Sequence, residues 1–189
     1  MYKEYDGVVV YEDFVKEDAL QTLTDYMSTC ERREIEGHTN DKAIHPNSSI
    51  ISGILKDITS DIKLFIEKYY RCEVGDEVVG SIVAAYPGWG ISRHIDTHDE
   101  PTMGQKTHSG FPSRDISTLL YLNSHGKDFT GGTLELPDQG VSIKPKAGMF
   151  VCFPSSSKYP HEATVVTSGE RLNTTVFWHI LKTTEMTNA

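Results

Sequence analysis

The feature that most constrains the fold is a change of hydrophobic periodicity near Val78. Before it, apolar residues recur every three or four positions over residues 51–69, which predicts a long amphipathic helix. After it, short β-branched runs alternate with turn signals such as Gly131-Gly132. A helical segment followed by many short strands predicts a mostly β fold with N-terminal helices, in which a jelly-roll barrel is backed by two α-helices.

The predicted elements have approximate boundaries. Val8–Tyr11 is predicted to be a short edge strand, and residues 17–28 a first helix. Residues 31–46 are polar and aperiodic, which predicts a loop, and the polar residues 47–49 can cap the second helix. The later strands are predicted near residues 78–86, 92–96, 116–123, 132–136, 140–144, 148–153, 161–166 and 171–181.

The length and the 38% hydrophobic content predict a single domain over residues 1–189. We expect it to comprise a helical N-terminal support (1–77), a jelly-roll core (78–181) and a polar tail (182–189). The net charge of −9 argues against a surface that follows nucleic-acid phosphates.

Neither disulfides nor a membrane segment is expected. Cys30, Cys72 and Cys152 are widely spaced and form no CxxC pattern, which argues against a disulfide framework or a thiolate metal site. The first residues lack an apolar targeting run, and no apolar run approaches the length of a membrane span. We therefore expect a cytoplasmic protein without a membrane partner, and the sequence leaves its oligomeric state open.

One long segment, residues 97–113, has no hydrophobic period and is rich in Thr, Ser, Gly, Pro and His. Structureless loops longer than about 12–15 residues usually carry function, so we expect a mobile lid over a site. Its His98, Asp99 and His108 are secondary candidates for metal ligands because they lie in this aperiodic region.

The main candidate metal ligands lie on predicted strands. His94 and Asp96 are two residues apart, and because side chains alternate along a strand, both face one side. His161 begins a later strand and supplies a third ligand. Two histidines and one carboxylate form a facial triad that leaves positions open on non-haem Fe(II). The simpler alternative is a strand with two polar residues facing solvent.

A single arginine strengthens this interpretation. Arg171 begins the last predicted strand, ten residues after His161. In the mouth of a barrel it needs an anionic partner, because an unpaired desolvated charge is costly, and its planar guanidinium suits a carboxylate. From this residue alone, a hairpin arginine that extends to water is an equally good interpretation.

Several short motifs occur in one order along the chain. They are Tyr86-Pro-Gly, His94-Ile-Asp96, Ser117-Thr-Leu-Leu-Tyr-Leu-Asn123, Phe129-Thr-Gly-Gly-Thr-Leu-Glu-Leu136, Lys144-Pro-Lys-Ala-Gly148, Phe153-Pro154, His161-Glu162 and Gly169-Glu-Arg171. Over residues 78–180 this ordered set resembles the prolyl 4-hydroxylase-like branch of the Fe(II)/2-oxoglutarate-dependent oxygenases. The resemblance implies that the core is a double-stranded β-helix of the cupin-like kind.

The resemblance also implies roles for residues at matching positions. His94, Asp96 and His161 would bind Fe(II), and Arg171 would pair with the distal carboxylate of 2-oxoglutarate. The cofactors would then be Fe(II), 2-oxoglutarate and O2, with ascorbate as an optional addition.

Further residues complete the implied site. Tyr121, Tyr86 and Asn173 would line the 2-oxoglutarate pocket beside the catalytic arginine. Arg114 and Trp89 are tentative substrate contacts, for which a solvated loop arginine and a packed tryptophan are the alternatives. Packing is likewise the simpler explanation for the second tryptophan, Trp178.

The implied activity is hydroxylation of an unactivated C–H bond with release of succinate and CO2. The expected substrate is a prolyl residue in a peptide or protein, and the alternative is a free amino acid or small metabolite. A non-catalytic jelly-roll binding protein and a zinc-dependent hydrolase or isomerase are candidates from other classes. Related dioxygenases that repair nucleic acids carry a second arginine at the position of Phe177, so no nucleic-acid partner is expected.

Overall fold

The computed structural model describes residues 1–75, 78–97 and 114–183, without the side chains of residues 78–81. The helices are α1 (Glu17–Thr29) and α2 (Ser49–Tyr70), and a short 3-10 turn spans Pro137–Gln139. The strands are β1 (Tyr2–Tyr5), β2 (Val8–Tyr11), β3 (Arg33–Glu34), β4 (Asp41–Ile44), β5 (Cys72–Val74), β6 (Val78–Ala85), β7 (Ile91–His94), β8 (Ile116–Tyr121), β9 (Phe129–Gly131), β10 (Leu134–Leu136), β11 (Val141–Ile143), β12 (Phe150–Pro154), β13 (His161–Ala163), β14 (Val166–Gly169), β15 (Arg171–Trp178) and β16 (Ile180–Thr183).

The strands form two main antiparallel sheets. The larger sheet has eight strands in the order β1-β2-β12-β8-β15-β6-β4-β3, and the smaller has four in the order β11-β10-β13-β7. From β6 onwards the chain passes repeatedly between the two sheets, so that strands distant in sequence become neighbours. This is the topology of a double-stranded β-helix, and it confirms the predicted jelly roll.

Two apolar layers flank the larger sheet. One lies between the sheets and includes Phe153 of β12 and Leu134 of β10. The other lies between the larger sheet and the helices and includes Leu23 of α1, Ile62 of α2 and Trp178 of β15. Because side chains alternate along a strand, β2, β8 and β12 contribute to both layers. The helices therefore back the barrel from outside and leave its interior to the functional residues.

Both helices lie within two residues of their predicted positions. The buried residues of α2 recur at helical spacing, as the apolar stripe predicts: Ile51, Ile58, Ile62 and Ile66. Ser48 occupies the N-cap position, but its side chain makes no capping hydrogen bond. Neither helix of the described chain has the length and apolar character to cross a membrane.

The prediction of an edge strand at Val8–Tyr11 is wrong, because β2 has β1 on one side and β12 on the other. β1 and β2 form a hairpin through Asp6 and Gly7, whose φ angles are 45° and 84°. Asp-Gly is a strong signal for this two-residue turn. β1 itself is hard to recognise because all four of its residues are exposed and lack an apolar face.

The prediction of a loop over residues 31–46 is also wrong, because this segment contains β3 and β4. β4 pairs with β6, with Asp41 opposite Ala85 and Ile44 opposite Ile82. The order of this segment comes from pairing with a strand far along the chain, which a local hydrophobic pattern does not reveal.

Some expectations fall outside the described residues. These include the predicted lid beyond Thr97, its candidate ligands His98, Asp99 and His108, and the end of the predicted tail. The division of the chain at residues 77 and 181 stays a prediction, although strands from its first part join the larger sheet.

Candidate active site

Three candidate metal ligands meet where β7 and β13 run side by side. His94 ends β7 and lies opposite His161, the first residue of β13, with 4.3 Å between the ring centroids. The carboxylate oxygens of Asp96 lie 3.5 Å from His94 Nε2 and 3.4 Å from His161 Nε2. One ligand atom from each residue lies within 4.8 Å of the others, so the structure brings together the three residues singled out in the sequence.

Backbone carbonyls fix which ring nitrogen of each histidine faces the carboxylate. His94 Nδ1 lies 2.9 Å from the carbonyl oxygen of Ser92, and His161 Nδ1 lies 3.1 Å from that of Tyr159. A carbonyl oxygen can only accept a hydrogen bond, so Nδ1 carries the proton in both neutral rings. The Nε2 lone pairs are left facing Asp96, which is the orientation that a metal ion requires.

The electrostatics favour an ionised carboxylate between the two rings. Burial acts to raise the pKa of Asp96, but the hydrogen bond to His94, the nearby His161 and the hydroxyl of Ser117 hold this pKa below its ordinary value. Burial lowers the pKa of His161, whereas the hydrogen bond to Asp96 raises that of His94. The site thus offers an ionised carboxylate and a neutral imidazole at His161, whereas any extra proton that Asp96 holds on His94 Nε2 must leave when a metal binds.

This donor set fits non-haem Fe(II). Two imidazoles and one carboxylate on separate strands leave several coordination positions open. A structural zinc site usually takes four protein ligands, and the described residues supply three here. The nitrogen and oxygen donors also match the preference of a redox-active first-row metal better than that of calcium or magnesium.

A buried arginine lies on the interior face of the larger sheet. Arg171 begins β15 and is only 1% exposed. Its guanidinium carbon lies 4.9 Å from the ring centroid of Trp89 and 5.2 Å from that of Tyr121. Aromatic faces attract a cation, yet they leave its N–H groups without acceptors.

Polar atoms without partners cluster at this arginine. Arg171 Nε and Nη1, the Tyr121 hydroxyl and Asn173 Oδ1 are buried and have no hydrogen-bond partner in the described part of the chain. Buried polar atoms are nearly always paired, so such a cluster indicates a ligand, and converging N–H and O–H donors fit a carboxylate. Asn173 Nδ2 donates to Thr175 Oγ1 at 3.3 Å, so its amide would have to rotate before it could donate to an anion.

A glycine makes room for the buried arginine. Gly132 has a φ of +61°, and a Cβ atom at this position would lie 2.9 Å from Arg171 Cδ. A side chain there would therefore displace the arginine as well as strain the backbone. The sequence reveals Gly131-Gly132 as a turn signal but does not assign it this contact.

Tyr86 belongs to a network behind the arginine. Its hydroxyl donates to Glu170 Oε1 at 2.6 Å, and Glu170 also accepts hydrogen bonds from Arg32 Nε at 2.9 Å and Nη2 at 2.8 Å. Tyr86 packs against the apolar layer on the helix side of the sheet. The contact of Tyr86 with 2-oxoglutarate stays a prediction. Glu170 and Arg32 were not identified as site residues, although Glu170 lies within the Gly169-Glu-Arg171 motif.

The tentative substrate residues occupy two different places. The guanidinium carbon of Arg114 lies 4.0 Å from the ring centroid of Phe177. Phe177 pairs across the strands with Ser117, and the hydroxyl of Ser117 contacts Asp96. Arg114 thus stacks on an aromatic ring, and its role as a substrate contact stays a prediction. Trp89 lies over Arg171 instead, so its role as a substrate contact stays a prediction.

The second tryptophan has a purely structural position. Trp178 is completely buried on the helix side of the larger sheet, and its Nε1 donates to Thr118 Oγ1 at 3.1 Å. The interpretation as core packing is confirmed.

Comparison with known proteins supports the assignment of the fold and of the family. The chain is 28% identical to the 2-oxoglutarate and iron-dependent oxygenase domain-containing protein 3 of Xenopus tropicalis over 65% of this chain and 43% of that protein. It is 41% identical to prolyl 3-hydroxylase 2 of Gallus gallus over 31% of this chain and 9% of that protein. The matched segments thus span less than half the length of these relatives.

Solved structures show the same fold. The viral collagen prolyl hydroxylase of Paramecium Bursaria Chlorella virus-1 superposes with a TM-score of 0.63 and 16% identity, over 96% of this chain and 97% of that chain. At this identity the likeness establishes the architecture alone.

A sequence profile settles the family. The profile of the 2OG-Fe(II) oxygenase superfamily matches residues 81–179, more than half of the chain, and this range includes the three ligands and Arg171. Proteins of this superfamily use Fe(II), 2-oxoglutarate and O2. The chain belongs to the 2OG-Fe(II) oxygenase superfamily.

Proposed function

We propose that this protein is an Fe(II)- and 2-oxoglutarate-dependent hydroxylase of a prolyl residue in a peptide or protein. The observation that carries the proposal is the buried, unpartnered donor cluster around Arg171, on the same interior side of the barrel as the His94, Asp96 and His161 triad. Strand β8 connects the two parts, because its Ser117 contacts Asp96. An anion site beside a facial triad is the arrangement that a metal-chelating dicarboxylate requires.

Each group in the site has a distinct task. His94, Asp96 and His161 hold the metal through Nε2 and carboxylate donors, and the backbone carbonyls keep the rings in the correct tautomer. Arg171 donates N–H groups to the distal carboxylate of the co-substrate. When bound, Fe(II) with 2-oxoglutarate and O2 supplies the oxidant that inserts oxygen into a C–H bond, with release of succinate and CO2.

Tyr121 supports the same carboxylate as a neutral donor. Complete burial raises the pKa of its phenol, with an opposing effect from Arg171, so the hydroxyl stays protonated at neutral pH. The rings of Trp89 and Tyr121 lie near the guanidinium and exclude water from its faces. In this dry surrounding, each charge-assisted hydrogen bond to the carboxylate is stronger than it would be in water.

The prolyl substrate is inferred from two sources. The relatives include a prolyl 3-hydroxylase, and a collagen prolyl hydroxylase has the same fold. In addition, Arg114 lies over the ring of Phe177, which pairs with Ser117, and the two side chains combine a cation with an aromatic face. Such a pair suits a peptide, with the ring available to the pyrrolidine and the guanidinium to backbone carbonyls or an acidic side chain.

Succinate formation with defined substrates tests this proposal. A proline-containing peptide should stimulate 2-oxoglutarate turnover and gain 16 mass units, whereas the matched peptide with alanine in place of proline should not. Stimulation by free proline or another small metabolite alone would replace the peptide with the alternative substrate class.

Metal and co-substrate binding test the enzyme class separately from the substrate. Anaerobic titration of the Fe(II)-loaded protein with 2-oxoglutarate should produce a weak visible charge-transfer band. The band should vanish in His161→Ala and require far more 2-oxoglutarate in Arg171→Met. A wild-type protein that shows no band with both components in excess would be a binding protein, and one that is active with Zn(II) would be a hydrolase or isomerase.

A further inference from the structure

Two serines lie directly behind the metal-facing carboxylate. Ser117 Oγ lies 2.6 Å from Asp96 Oδ2, and Ser155 Oγ lies 2.7 Å from Ser117 Oγ. Their exposed fractions are 0% and 1%, respectively. Because the carboxylate is ionised, Ser117 donates its only hydroxyl proton to Asp96, and Ser155 must therefore be the donor in the second bond. The two hydroxyls form a chain directed at one oxygen of the carboxylate.

The chain of hydroxyls is held rigidly. Ser117 of β8 pairs with Phe153 of β12, and Ser155 directly follows the last residue of β12. The backbone of Ser155 is fixed on both sides, since its N–H donates to the Asp115 carbonyl at 2.9 Å and its carbonyl accepts from Thr97 N at 3.2 Å. Because Thr97 directly follows Asp96, Ser155 contacts both the hydroxyl of Ser117 and the backbone next to the ligand.

We propose that Ser117 and Ser155 are positioning residues that make Asp96 a one-oxygen metal ligand. This inference rests on the proposed function. The two carboxylate oxygens lie at similar distances from the histidines, Oδ1 at 3.5 Å from His94 Nε2 and Oδ2 at 3.4 Å from His161 Nε2. Only Oδ2 accepts the hydrogen bond from Ser117, so this bond restricts rotation of the carboxylate and leaves Oδ1 as the better donor to a metal. Single-oxygen ligation matters because a chelating carboxylate would take a position needed for 2-oxoglutarate or O2. Outer hydrogen bonds of this kind orient metal ligands and tune their basicity.

A merely structural role would have a different signature. If the serines only provided hydrogen bonds to a buried carboxylate, their removal would lower the stability of the metal-free protein without changing how the metal is bound. A positioning role predicts changes in metal affinity and in the coordination of the bound ion. Cobalt is a suitable probe because Co(II) accepts the same ligands and reports its coordination number in its visible spectrum.

The test is a Co(II) titration of the metal-free wild type and four variants, without 2-oxoglutarate or turnover. Ser117→Ala should bind Co(II) about 10- to 100-fold more weakly, with a changed visible spectrum. Ser155→Ala should produce a smaller loss, because Ser117 keeps its bond to Asp96. Ser117→Thr, which keeps the hydroxyl, should restore the affinity to near that of the wild type.

Ser142→Ala is the matched control. Ser142 Oγ also donates to a carboxylate, Glu135 Oε1 at 2.8 Å, but from an exposed position on strand β11, and its loss should leave Co(II) binding unchanged. If folded Ser117→Ala and Ser155→Ala both bind Co(II) like the wild type, the positioning role is wrong while the proposed function survives. A wild-type protein that binds no Co(II) would overturn both.

Discussion

Both faces of strand β15 carry buried side chains, and the two faces differ in how their polar atoms are paired. Towards the helices, Trp178 Nε1 donates to Thr118 Oγ1, which itself donates to the carbonyl of Val176. Towards the barrel interior, Arg171 and Asn173 leave buried polar atoms without partners in the described chain. Arg171, Asn173 and Trp178 are all buried, so burial alone does not separate structure from function.

The difference indicates which buried groups stabilise the fold and which remain available to bind a ligand. Burying an unpaired charge or amide is unfavourable, and a fold retains such groups only where a ligand completes them. The helix-side face should therefore determine stability, and the interior face should determine binding. Substitutions on the two faces can confirm or break this division.

The largest expected effect is on stability, from Trp178→Ala. Removing this completely buried side chain leaves a cavity between β15 and the helices, and the free energy of unfolding should fall by about 3–5 kcal/mol. Urea denaturation with circular dichroism measures the loss. At low temperature, the remaining folded protein should bind 2-oxoglutarate with unchanged affinity. Weaker binding by that folded fraction would show that the two faces are not independent.

The next effect is on binding, from Arg171→Met. Methionine keeps much of the length but removes the cation, so affinity for 2-oxoglutarate should fall by about 2–4 kcal/mol, measured by anaerobic calorimetry with Mn(II) as the metal. Stability without ligand should stay the same or rise, because an unpaired buried charge is lost. A clear fall in the stability of the ligand-free protein would mean that the arginine has a structural partner after all.

The sequence predicts the interior face of β15 better than its surroundings. Alternation along a strand places Arg171 and Asn173 on one face, and the order of the motifs relates them to His94 and His161. Ser117 does not stand out in the same way, because a serine in a strand has no charge and its contact with Asp96 spans 21 residues of sequence.

Long-range pairing also explains the errors in the fold. The pattern of α2 is local and repeats over six turns, so its position follows from the sequence. β4 joins the larger sheet by pairing with β6, about 40 residues later, and its four residues are too few to show a period. Elements defined by distant partners are therefore the ones that the sequence alone fails to predict.

Substitution of Gly132 should affect both stability and ligand binding, and it therefore tests the division between the two faces. Gly132→Ala should cost about 1–2 kcal/mol of stability, because its φ of +61° disfavours a side chain. It should also weaken 2-oxoglutarate binding several-fold, because the new Cβ atom would lie 2.9 Å from Arg171 Cδ. Chemical denaturation and calorimetry measure the two effects.

Gly140→Ala provides the matched control for this prediction. Gly140 has a nearly identical φ of +65°, but a Cβ atom there meets nothing within 4 Å. It should lose a similar amount of stability and keep its affinity for 2-oxoglutarate. Equal binding by the two variants would contradict the proposed contact between Gly132 and the arginine.

The smallest expected effect comes from Arg32, which pairs with Glu170 next to the start of β15. Arg32 binds Glu170 through two nitrogens, and this partly exposed ion pair should contribute no more than about 1 kcal/mol to stability. Burial acts to raise the pKa of Glu170, but the hydrogen bonds from Arg32 and Tyr86 hold it below its ordinary value of 4.5. The ion pair therefore stabilises the fold above pH 4.5, and its contribution is lost as the pH falls through the lowered pKa.

Arg32→Met consequently should be less stable than the wild type at pH 7, and the gap should narrow as the pH falls below 4.5. Urea denaturation at pH 7, 5 and 3.5 measures it. A gap that stays constant with pH would assign the effect to the other bonds of Arg32, which reach the carbonyls of Met27 and Cys30. In either case, 2-oxoglutarate affinity should change far less than in Arg171→Met, because Arg32 is engaged by Glu170 whereas Arg171 Nε and Nη1 have no partner in the described part of the chain.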